Sequence, residues 1–462
     1  MQITGKITAI AFTTIGIVAV SCGSLDSDEQ VGSDESPAPA GAAVAAAAPT
    51  SVPTAVPTAV PTAMPTPVPA ATATPTPAEK IISDPTVVAA VPPTPEPIQA
   101  PAPPPPPVDE VPLYLARGWK TDFSKHSVPY SEIRSGGPPR DGIPPIDNPE
   151  FENVTGGGTG LADEVPVLSV EINGKAKAYP LSILIWHEIV NDEVGGVPVS
   201  VTYCPLCNTA IVFDRRVDGQ ILDFGTSGNL RKSDLVMWDR QTESWWQQIT
   251  GEAIVGSLTG TKLTFVPAPI VSWSEFRDSF PEGELLSRDT GFSRNYDRPP
   301  YAGYDSPNNR PFLFSGQTDS RLAAMERVVG LTIDDVAVAY PFELFESAPV
   351  VNDVIGGQDV TIFYASDTLS VFAGARGDNP RVGSTGVYDP NLDGRKLTFI
   401  VEGDRIVDEQ TGSRWNILGE AIEGSLEGSK LDQIVHANHF WFAWQAFYPE
   451  TEVRSEEPLA AG

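Results

Sequence analysis

The chain has 462 residues and a formal net charge of −30, with 60 acidic residues, 30 basic residues and three cysteines. No basic patch interrupts the acidity, which argues against a nucleic-acid partner and is more simply explained by solubility outside the cell. Three cysteines are too few for a disulfide framework.

The N-terminus resembles a bacterial export signal. Lys6 precedes the apolar run ITAIAFTTIGIVAV, which is shorter than the roughly 20 residues needed to cross a bilayer. The residues before Cys22 resemble a lipobox, in which the cysteine is acylated and becomes the mature N-terminus. Residues 1–21 are therefore predicted to be a lipoprotein signal peptide. The protein is expected to be extracytoplasmic, anchored to a membrane in the periplasm or at the cell surface. The alternative is an ordinary signal peptide followed by a stray cysteine.

Residues 22–110 are dominated by Pro, Ala, Thr and Val, as in SVPTAVPTAVPTAMPTPVP. Such a segment cannot bury a core and favours polyproline II, so we predict a disordered, semi-rigid stalk. Residues 111–160 are rich in Gly and Pro and are predicted to form an irregular N-terminal extension.

The rest of the chain contains an internal repeat. AYPLSILIWHEIVNDEVGGVPVSVTY at 178–203 aligns without a gap on AYPFELFESAPVVNDVIGGQDVTIFY at 339–364, with ten identities in 26 positions. GEAIVGSLTGTKL at 251–263 matches GEAIEGSLEGSKL at 419–431 in the same way. We assign the first repeat to 161–297, a connector to 298–324, the second repeat to 325–455 and a tail to 456–462.

Each repeat has the same predicted elements. A strand ending in AYP leads into a short helix, a Gly-Gly turn and a strand of alternating apolar residues, and an aromatic amphipathic stretch closes the unit as a helix. The predicted fold is α+β and β-rich, with two tandem pseudo-symmetric repeats of short strands and a few short helices after the stalk.

The repeat also separates shared residues from lost ones. Identical residues, such as the Asn-Asp and Gly-Gly pairs, are best assigned to folding. Four chemically active residues of the first repeat are lost in the second, where the gapless alignment pairs His187 with Ala348, Glu188 with Pro349, Cys204 with Ala365 and Cys207 with Thr368. We infer a single asymmetric site in the first repeat.

Three stretches resemble the bacterial and archaeal domain-of-unknown-function 3179 family: WHEIVNDEVGGVPVSVTYCPLCNTAIVFDR, FGTSGNLRKSDLVMWDRQTESWWQQITGEAI and SGGPPRDGIPPIDNPEF. The resemblance covers about 117 to 455 and implies no activity, since none is assigned to the family. It places the family motif on His187, Glu188, Cys204 and Cys207. Asn208 stands where glycine is usual, and asparagine can adopt the same left-handed backbone.

The preferred function is metal binding. A strand, CPLCN and a second strand form a knuckle turn of the type found in zinc ribbons. Two thiolates do not complete a site, so His187 is predicted as the third ligand, with Glu188, Met237 or water as the fourth. A thioether would favour copper(I), and a carboxylate or water would favour zinc.

Two alternatives remain open. In a thiol–disulfide oxidoreductase, Cys204 would be the nucleophile, Cys207 the resolving thiol and either His187 or Glu188 the base. Against this, the residues after the CPLC turn read as strands and supply no helix dipole. The third possibility is a scaffold or binding lipoprotein without a cofactor. A protein or metal donor outside the cell is a possible partner, and the sequence leaves the oligomeric state open.

A second histidine pair occurs near the C-terminus. His436 and His439 in VHANHFWFAW have i, i+3 spacing and could share a metal. The preferred interpretation is the polar edge of a packing helix.

Overall fold

The computed structural model of the protein describes residues 109–156, 160–373 and 380–455. The predicted signal peptide, the acylated Cys22, the stalk as far as residue 108 and the tail at 456–462 lie outside the described residues, so those predictions are not tested. The structure confirms the predicted fold class, since strands far outnumber the few short helices.

Sixteen strands come from the N-terminal extension and the first repeat. In chain order they are β1 Ile133–Ser135, β2 Phe151–Asn153, β3 Pro166–Ile172, β4 Lys175–Pro180, β5 Ile189–Val194, β6 Val197–Cys204, β7 Thr209–Asp214, β8 Arg216–Val217, β9 Gln220–Ile221, β10 Phe224–Arg231, β11 Asp234–Asp239, β12 Trp245–Gln247, β13 Glu252–Val255, β14 Thr264–Val266, β15 Ile270–Ser272 and β16 Glu284–Leu286.

The remaining strands belong to the second repeat. They are β17 Arg327–Ile333, β18 Val336–Pro341, β19 Val350–Ile355, β20 Gln358–Ala365, β21 Ser384–Asp389, β22 Asn391–Leu392, β23 Arg395–Lys396, β24 Phe399–Glu402, β25 Arg405–Asp408, β26 Arg414–Trp415, β27 Ala421–Glu423, β28 Asp432–Gln433, β29 Ala437–Phe440 and β30 Glu452–Val453.

The helices are all short. They are α1 Leu113–Ala116, a 3-10 turn Tyr130–Glu132, α2 Leu181–His187, α3 Trp273–Ser279, α4 Phe342–Ser347 and α5 Trp441–Phe447. Among the described residues, none of them has both the length and the apolar character of a membrane-crossing helix.

The two repeats build matching sets of sheets. In the first repeat the strand orders are β15-β3-β4-β16-β2, β14-β7-β6-β5 and β1-β10-β11-β12-β13. In the second they are β29-β17-β18-β30, β19-β20-β21-β28 and β24-β25-β26-β27. Two strands of the extension, β1 and β2, complete sheets of the first repeat. The duplication read from the sequence is therefore a duplication of topology.

The residues shared by both repeats have structural roles, as predicted. Gly195 and Gly196 both have positive φ in the turn between β5 and β6, and a Cβ on Gly195 would lie 2.1 Å from the Ile172 carbonyl oxygen. Asn191 binds the backbone N–H and C=O of Phe224, at the start of β10, at 3.0 and 2.8 Å.

Asn352 makes the same pair of hydrogen bonds to Phe399, at 3.0 and 2.8 Å, in the second repeat. The asparagines therefore tie each repeat's central hairpin to its neighbouring sheet. This differs in detail from the capping or turn role expected from the sequence.

The two repeats share their interior. One apolar cluster combines first-repeat strands β6 and β7 with Phe440 and Phe442, and another combines Trp273 and Phe276 with second-repeat residues such as Tyr388. Strand β7 packs against β29, and β15 packs against β21. The repeats therefore form one body with interlocked cores.

Candidate functional site

The two cysteines lie in the tight turn between β6 and β7. Cys204 is the last residue of β6 and pairs with Thr209, the first residue of β7. The N–H of Cys207 donates to the Cys204 carbonyl at 3.2 Å, and Asn208 has a φ of 53°, the left-handed backbone expected for it. Both thiols are free and buried.

A hairpin tip from another sheet covers this turn. Lys232 and Ser233 join β10 to β11 with φ values of 53° and 71°, as a two-residue turn with positive φ at both positions requires. The Ser233 carbonyl oxygen lies 3.5 Å from the Sγ of Cys207 and 3.8 Å from that of Cys204, and accepts from both thiols. Two non-glycine residues in this conformation cost free energy, which is typical of a functional site.

Asp234, the first residue of β11, completes the cluster. One carboxylate oxygen and the sulfur atoms of Cys204 and Cys207 all lie within 4.8 Å of one another. The Oδ2 atom accepts from the Gln247 side chain at 2.6 Å and from the Ile249 N–H at 3.0 Å. The Oδ1 atom is buried and has no hydrogen-bond partner among the described residues. We call Cys204, Cys207 and Asp234 the thiol–carboxylate cluster.

Burial and negative charge dominate the electrostatics of this cluster. Burial raises the pKa of Cys204, and the carboxylates of Asp234 and Glu188 raise it further. Burial raises the pKa of Cys207 well above its usual value, with contributions from Cys204 and Asp234. Burial also raises the pKa of Asp234 to about 6. In this environment both thiols are neutral unless a cation is present.

Glu188 adds a further buried acid. It follows α2 with a φ of 59°, and its carboxyl group has no hydrogen bond or ion pair with any described residue. Burial, followed by the negative charge of Asp234, raises its pKa to about 8. No lysine, arginine or histidine of the described residues forms an ion pair with Glu188 or Asp234. When these two carboxyl groups ionise, no basic side chain compensates their negative charge.

His187 is not part of the cluster, contrary to the expectation that it would be the third ligand. Its Nδ1 lies 2.7 Å from the Pro144 carbonyl oxygen, and its Nε2 lies 2.7 Å from the Tyr296 hydroxyl. A carbonyl can only accept, so Nδ1 donates and Nε2 accepts from the tyrosine. The lone pair that a metal would need is thus used within the fold. Asp234, rather than His187, is grouped with the two sulfur atoms.

The equivalent place in the second repeat is built differently. Residues 205–208 join β6 to β7, whereas the much longer segment 366–383 joins β20 to β21. The strand pairing matches Cys204 to Ala365 and Thr209 to Ser384, so the gapless match of Cys207 to Thr368 was wrong. The second repeat does not contain a cysteine-free version of the same turn.

The covering hairpin also differs between the repeats. Strands β10 and β11 have 8 and 6 residues, whereas β24 and β25 have 4 each. The second repeat therefore lacks the hairpin tip that carries Ser233 and Asp234. A groove of about 1010 Å³, lined by residues such as Ala365 and Gly403, occupies the corresponding place. The first repeat has both the two cysteines and the hairpin tip that covers them, and the second repeat has neither.

Sequence reasoning missed Asp234 because it lies 27 residues beyond Cys207 and belongs to no short motif. A signal did exist. Asp214 and Asp389 end matching strands, and so do Asp239 and Asp408. The segment between the two aspartates is longer in the first repeat than in the second. An insertion confined to the repeat with the cysteines would have directed attention to the hairpin.

The comparison with known families agrees with the sequence resemblance. The family model described as "Protein of unknown function (DUF3179)" matches residues 140–451. The chain belongs to this family. No curated protein and no solved structure matches the chain. The matched range contains the thiol–carboxylate cluster, Glu188 and both repeats.

Proposed function

We propose that the protein binds one transition-metal ion through Cys204, Cys207 and the Oδ1 atom of Asp234. The observation that carries the proposal is the buried carboxylate of Asp234: one of its oxygens lies within 4.8 Å of both buried sulfur atoms, and its Oδ1 atom has no hydrogen-bond partner among the described residues. Donor atoms on one tetrahedral zinc are about 3 to 4 Å apart, given Zn–S and Zn–O bonds near 2.3 and 2.1 Å. The cluster would need only small movements to reach this spacing.

The donor set favours zinc over copper(I). Two thiolates suit both ions, but a carboxylate oxygen is a hard ligand that zinc accepts and copper(I) does not prefer. Three protein ligands leave a fourth position for water or for the unpartnered carboxyl group of Glu188. Binding would release the two thiol protons, because only the thiolate is a ligand.

Thiol–disulfide chemistry is less well supported by the same residues. A reactive cysteine usually lies in a partly exposed, electropositive environment that lowers its pKa. Cys204 and Cys207 are buried next to acids that raise their pKa values. A bound cation would remove the electrostatic conflict, whereas redox chemistry would have to operate against it.

Metal analysis of the full-length protein tests the proposal. The protein is purified under reducing conditions from cells supplied with zinc and copper, and metal is counted per chain by mass spectrometry. We expect one zinc per chain in the wild type and less than about a tenth of that in Cys204→Ser and Asp234→Asn. Cobalt substitution should give the thiolate charge-transfer bands of a two-sulfur site.

Two controls make the test specific. Cys22→Ser removes the third cysteine and should leave the zinc content unchanged. His187→Gln should also retain zinc, since its ring serves the fold. Wild-type protein without stoichiometric metal, with Cys204 and Cys207 cycling readily to a disulfide, would support the oxidoreductase alternative. Protein with neither property would support the scaffold alternative.

The location belongs to the same proposal. The support is the N-terminal export signal followed by Cys22, and the long Pro-rich segment that would separate the folded body from a membrane. The partner would be a membrane, through the lipid, and a metal donor or protein outside the cell rather than nucleic acid. Cys22→Ser should move the protein from the membrane fraction to the soluble extracytoplasmic fraction. An unchanged distribution would contradict the anchor without affecting the metal proposal.

A further inference from the structure

A cavity of about 410 Å³ lies where the two repeats meet, and Cys204, Cys207 and Asp234 are not among its lining residues. Its walls come from β7, β14, β17 and β29, with Trp444 and Tyr448 from the region of α5. This volume is in the range typical of small-molecule sites, which are mostly apolar with a few polar groups.

Lys262 is the basic residue on the cavity wall. Its ammonium group has no ion pair and no hydrogen bond with any described residue. Thr332 lines the same cavity, on β17. One acidic residue, Asp335, is also present in the lining and does not form an ion pair with Lys262. Lys262, Thr332 and Asp335 are all exposed, so they form the solvent-facing part of the lining.

The sequence repeat allows Lys262 to be compared with the matching lysine of the second repeat. Lys430 matches Lys262 in the aligned GxKL segments, and its ammonium is paired with the carboxylate of Glu171 on β3. It also lies 5.0 Å from the ring of Phe280. Lys430 of the second repeat therefore has both an anion and an aromatic ring of the first repeat as partners.

The pairing of strands identifies the counterparts around Lys262, which come from the second repeat. Strands β3 and β17 occupy matching positions, which sets Thr332 in the place of Glu171. Helices α3 and α5 also match, which sets Tyr448 in the place of Phe280. The cavity thus keeps the lysine and the aromatic ring but lacks the carboxylate.

We infer that this cavity binds a small organic acid with an apolar, preferably aromatic, body and one carboxylate. The ligand carboxylate would bind Lys262 in the position that corresponds to the Glu171 side chain beside Lys430. The apolar body would pack against Phe265, Trp444 and Tyr448. Asp335 would disfavour a second negative charge, which argues for a monocarboxylate over a dianion.

His439 offers one further polar contact at the wall. Its Nδ1 lies 2.8 Å from the Thr209 hydroxyl, while its Nε2 has no hydrogen-bond partner among the described residues. The ring contacts Trp444 in a tilted arrangement, with centroids 5.0 Å apart. A hydroxyl group on the ligand body could donate to Nε2, so hydroxylated aromatic acids are the preferred members of the class.

Calorimetric titration with matched probes tests the inference on the full-length protein. The probes are 4-phenylbutyrate, its alcohol 4-phenylbutan-1-ol and its amine 4-phenylbutylamine. We expect the acid to bind at least ~10-fold more tightly than the alcohol, because a charge-assisted hydrogen bond to an ammonium is about twice as strong as a neutral one. The amine should bind more weakly than both.

Variants at the proposed carboxylate position make the test decisive. Thr332→Glu should restore the missing ion pair within the chain and remove the preference for the acid, while its neutral match Thr332→Gln should retain it. Lys262→Met should reduce acid binding to the level of the alcohol, and Lys396→Met, on the distant β23, should change nothing. An acid that binds no better than its alcohol, or an acid preference that survives Thr332→Glu, would overturn the inference. So would the absence of binding by all three probes.

Discussion

Replacing Glu188 with glutamine should stabilise the metal-free protein by an amount that increases with pH. In the folded state, burial and the charge of Asp234 raise the pKa of Glu188 from 4.5 to about 8. Between these two values the unfolded chain has lost a proton that the folded chain retains. Unfolding then releases a proton, so the free energy of unfolding decreases as the pH rises.

The size of the effect follows from the shift. One pKa unit corresponds to about 1.4 kcal/mol. Glu188 should therefore lower the free energy of unfolding by almost nothing below pH 4.5, by about 3 kcal/mol at pH 7 and by at most about 5 kcal/mol above pH 8. Glutamine has the same shape and does not titrate. The variant should therefore lack this part of the pH dependence while keeping the left-handed backbone at position 188.

The measurement is urea unfolding of chelator-treated, reduced protein at pH 5, 7 and 8.5. The control is Glu193→Gln on β5, which is exposed and should leave the pH dependence unchanged. A bound cation lowers the pKa of nearby acids, so loading with zinc should reduce the difference between wild type and Glu188→Gln. A stability difference that does not vary with pH would refute the electrostatic reasoning.

Three further predictions use other residues. Asn191→Ala should lower the free energy of unfolding by roughly 2 to 4 kcal/mol, since it leaves a buried backbone N–H and C=O unpaired, and it should weaken zinc binding as measured by competition with a chelator. Asn352 is exposed, so water can replace its hydrogen bonds, and Asn352→Ala should cost only about 1 kcal/mol and leave zinc binding unchanged. Gly330→Ser should lower the free energy of unfolding by roughly 1 to 3 kcal/mol, because a Cβ at this position would lie 2.5 Å from the Trp444 ring. Adding Trp444→Phe should recover most of this loss, as measured by denaturant unfolding in a double-mutant cycle. His187→Gln should lower stability by roughly 1 to 3 kcal/mol in the same assay, with unchanged zinc content.

The sequence predicts the repeated elements well because local chemistry determines them. The Gly-Gly turn after β5 requires positive φ, and Gly195 and Gly196 supply it at low cost. The amphipathic closing stretches form α3 and α5 as expected, and α3 begins with a capping box at Ser272. Where residues a few positions apart define the structure, pattern and conformation agree.

The sequence did not predict the surroundings of the histidines, because adjacent residues in sequence need not face the same region. His187 is the last residue of α2 and Glu188 turns into the left-handed conformation, which separates the directions of the two side chains. His439 lies on β29 and His436 immediately precedes that strand, whereas the sequence predicted that both would lie on the edge of a helix. Both have their pKa lowered by burial, and that of His439 falls to about 3.

Strand β7 follows the cysteine turn and lines the cavity between the two repeats. The turn before β7 carries Cys207, whose carbonyl oxygen accepts from the Phe440 N–H at 2.8 Å and from the Thr209 hydroxyl at 3.2 Å. The Thr209 hydroxyl in turn lies next to His439 on the wall of the cavity. A hydroxyl has one proton, so while Thr209 donates to Cys207 it must accept from Nδ1 of His439, which leaves Nε2 as an acceptor facing any ligand. A ligand that donates to Nε2 of His439 would therefore be connected to the cysteine turn through two hydrogen bonds.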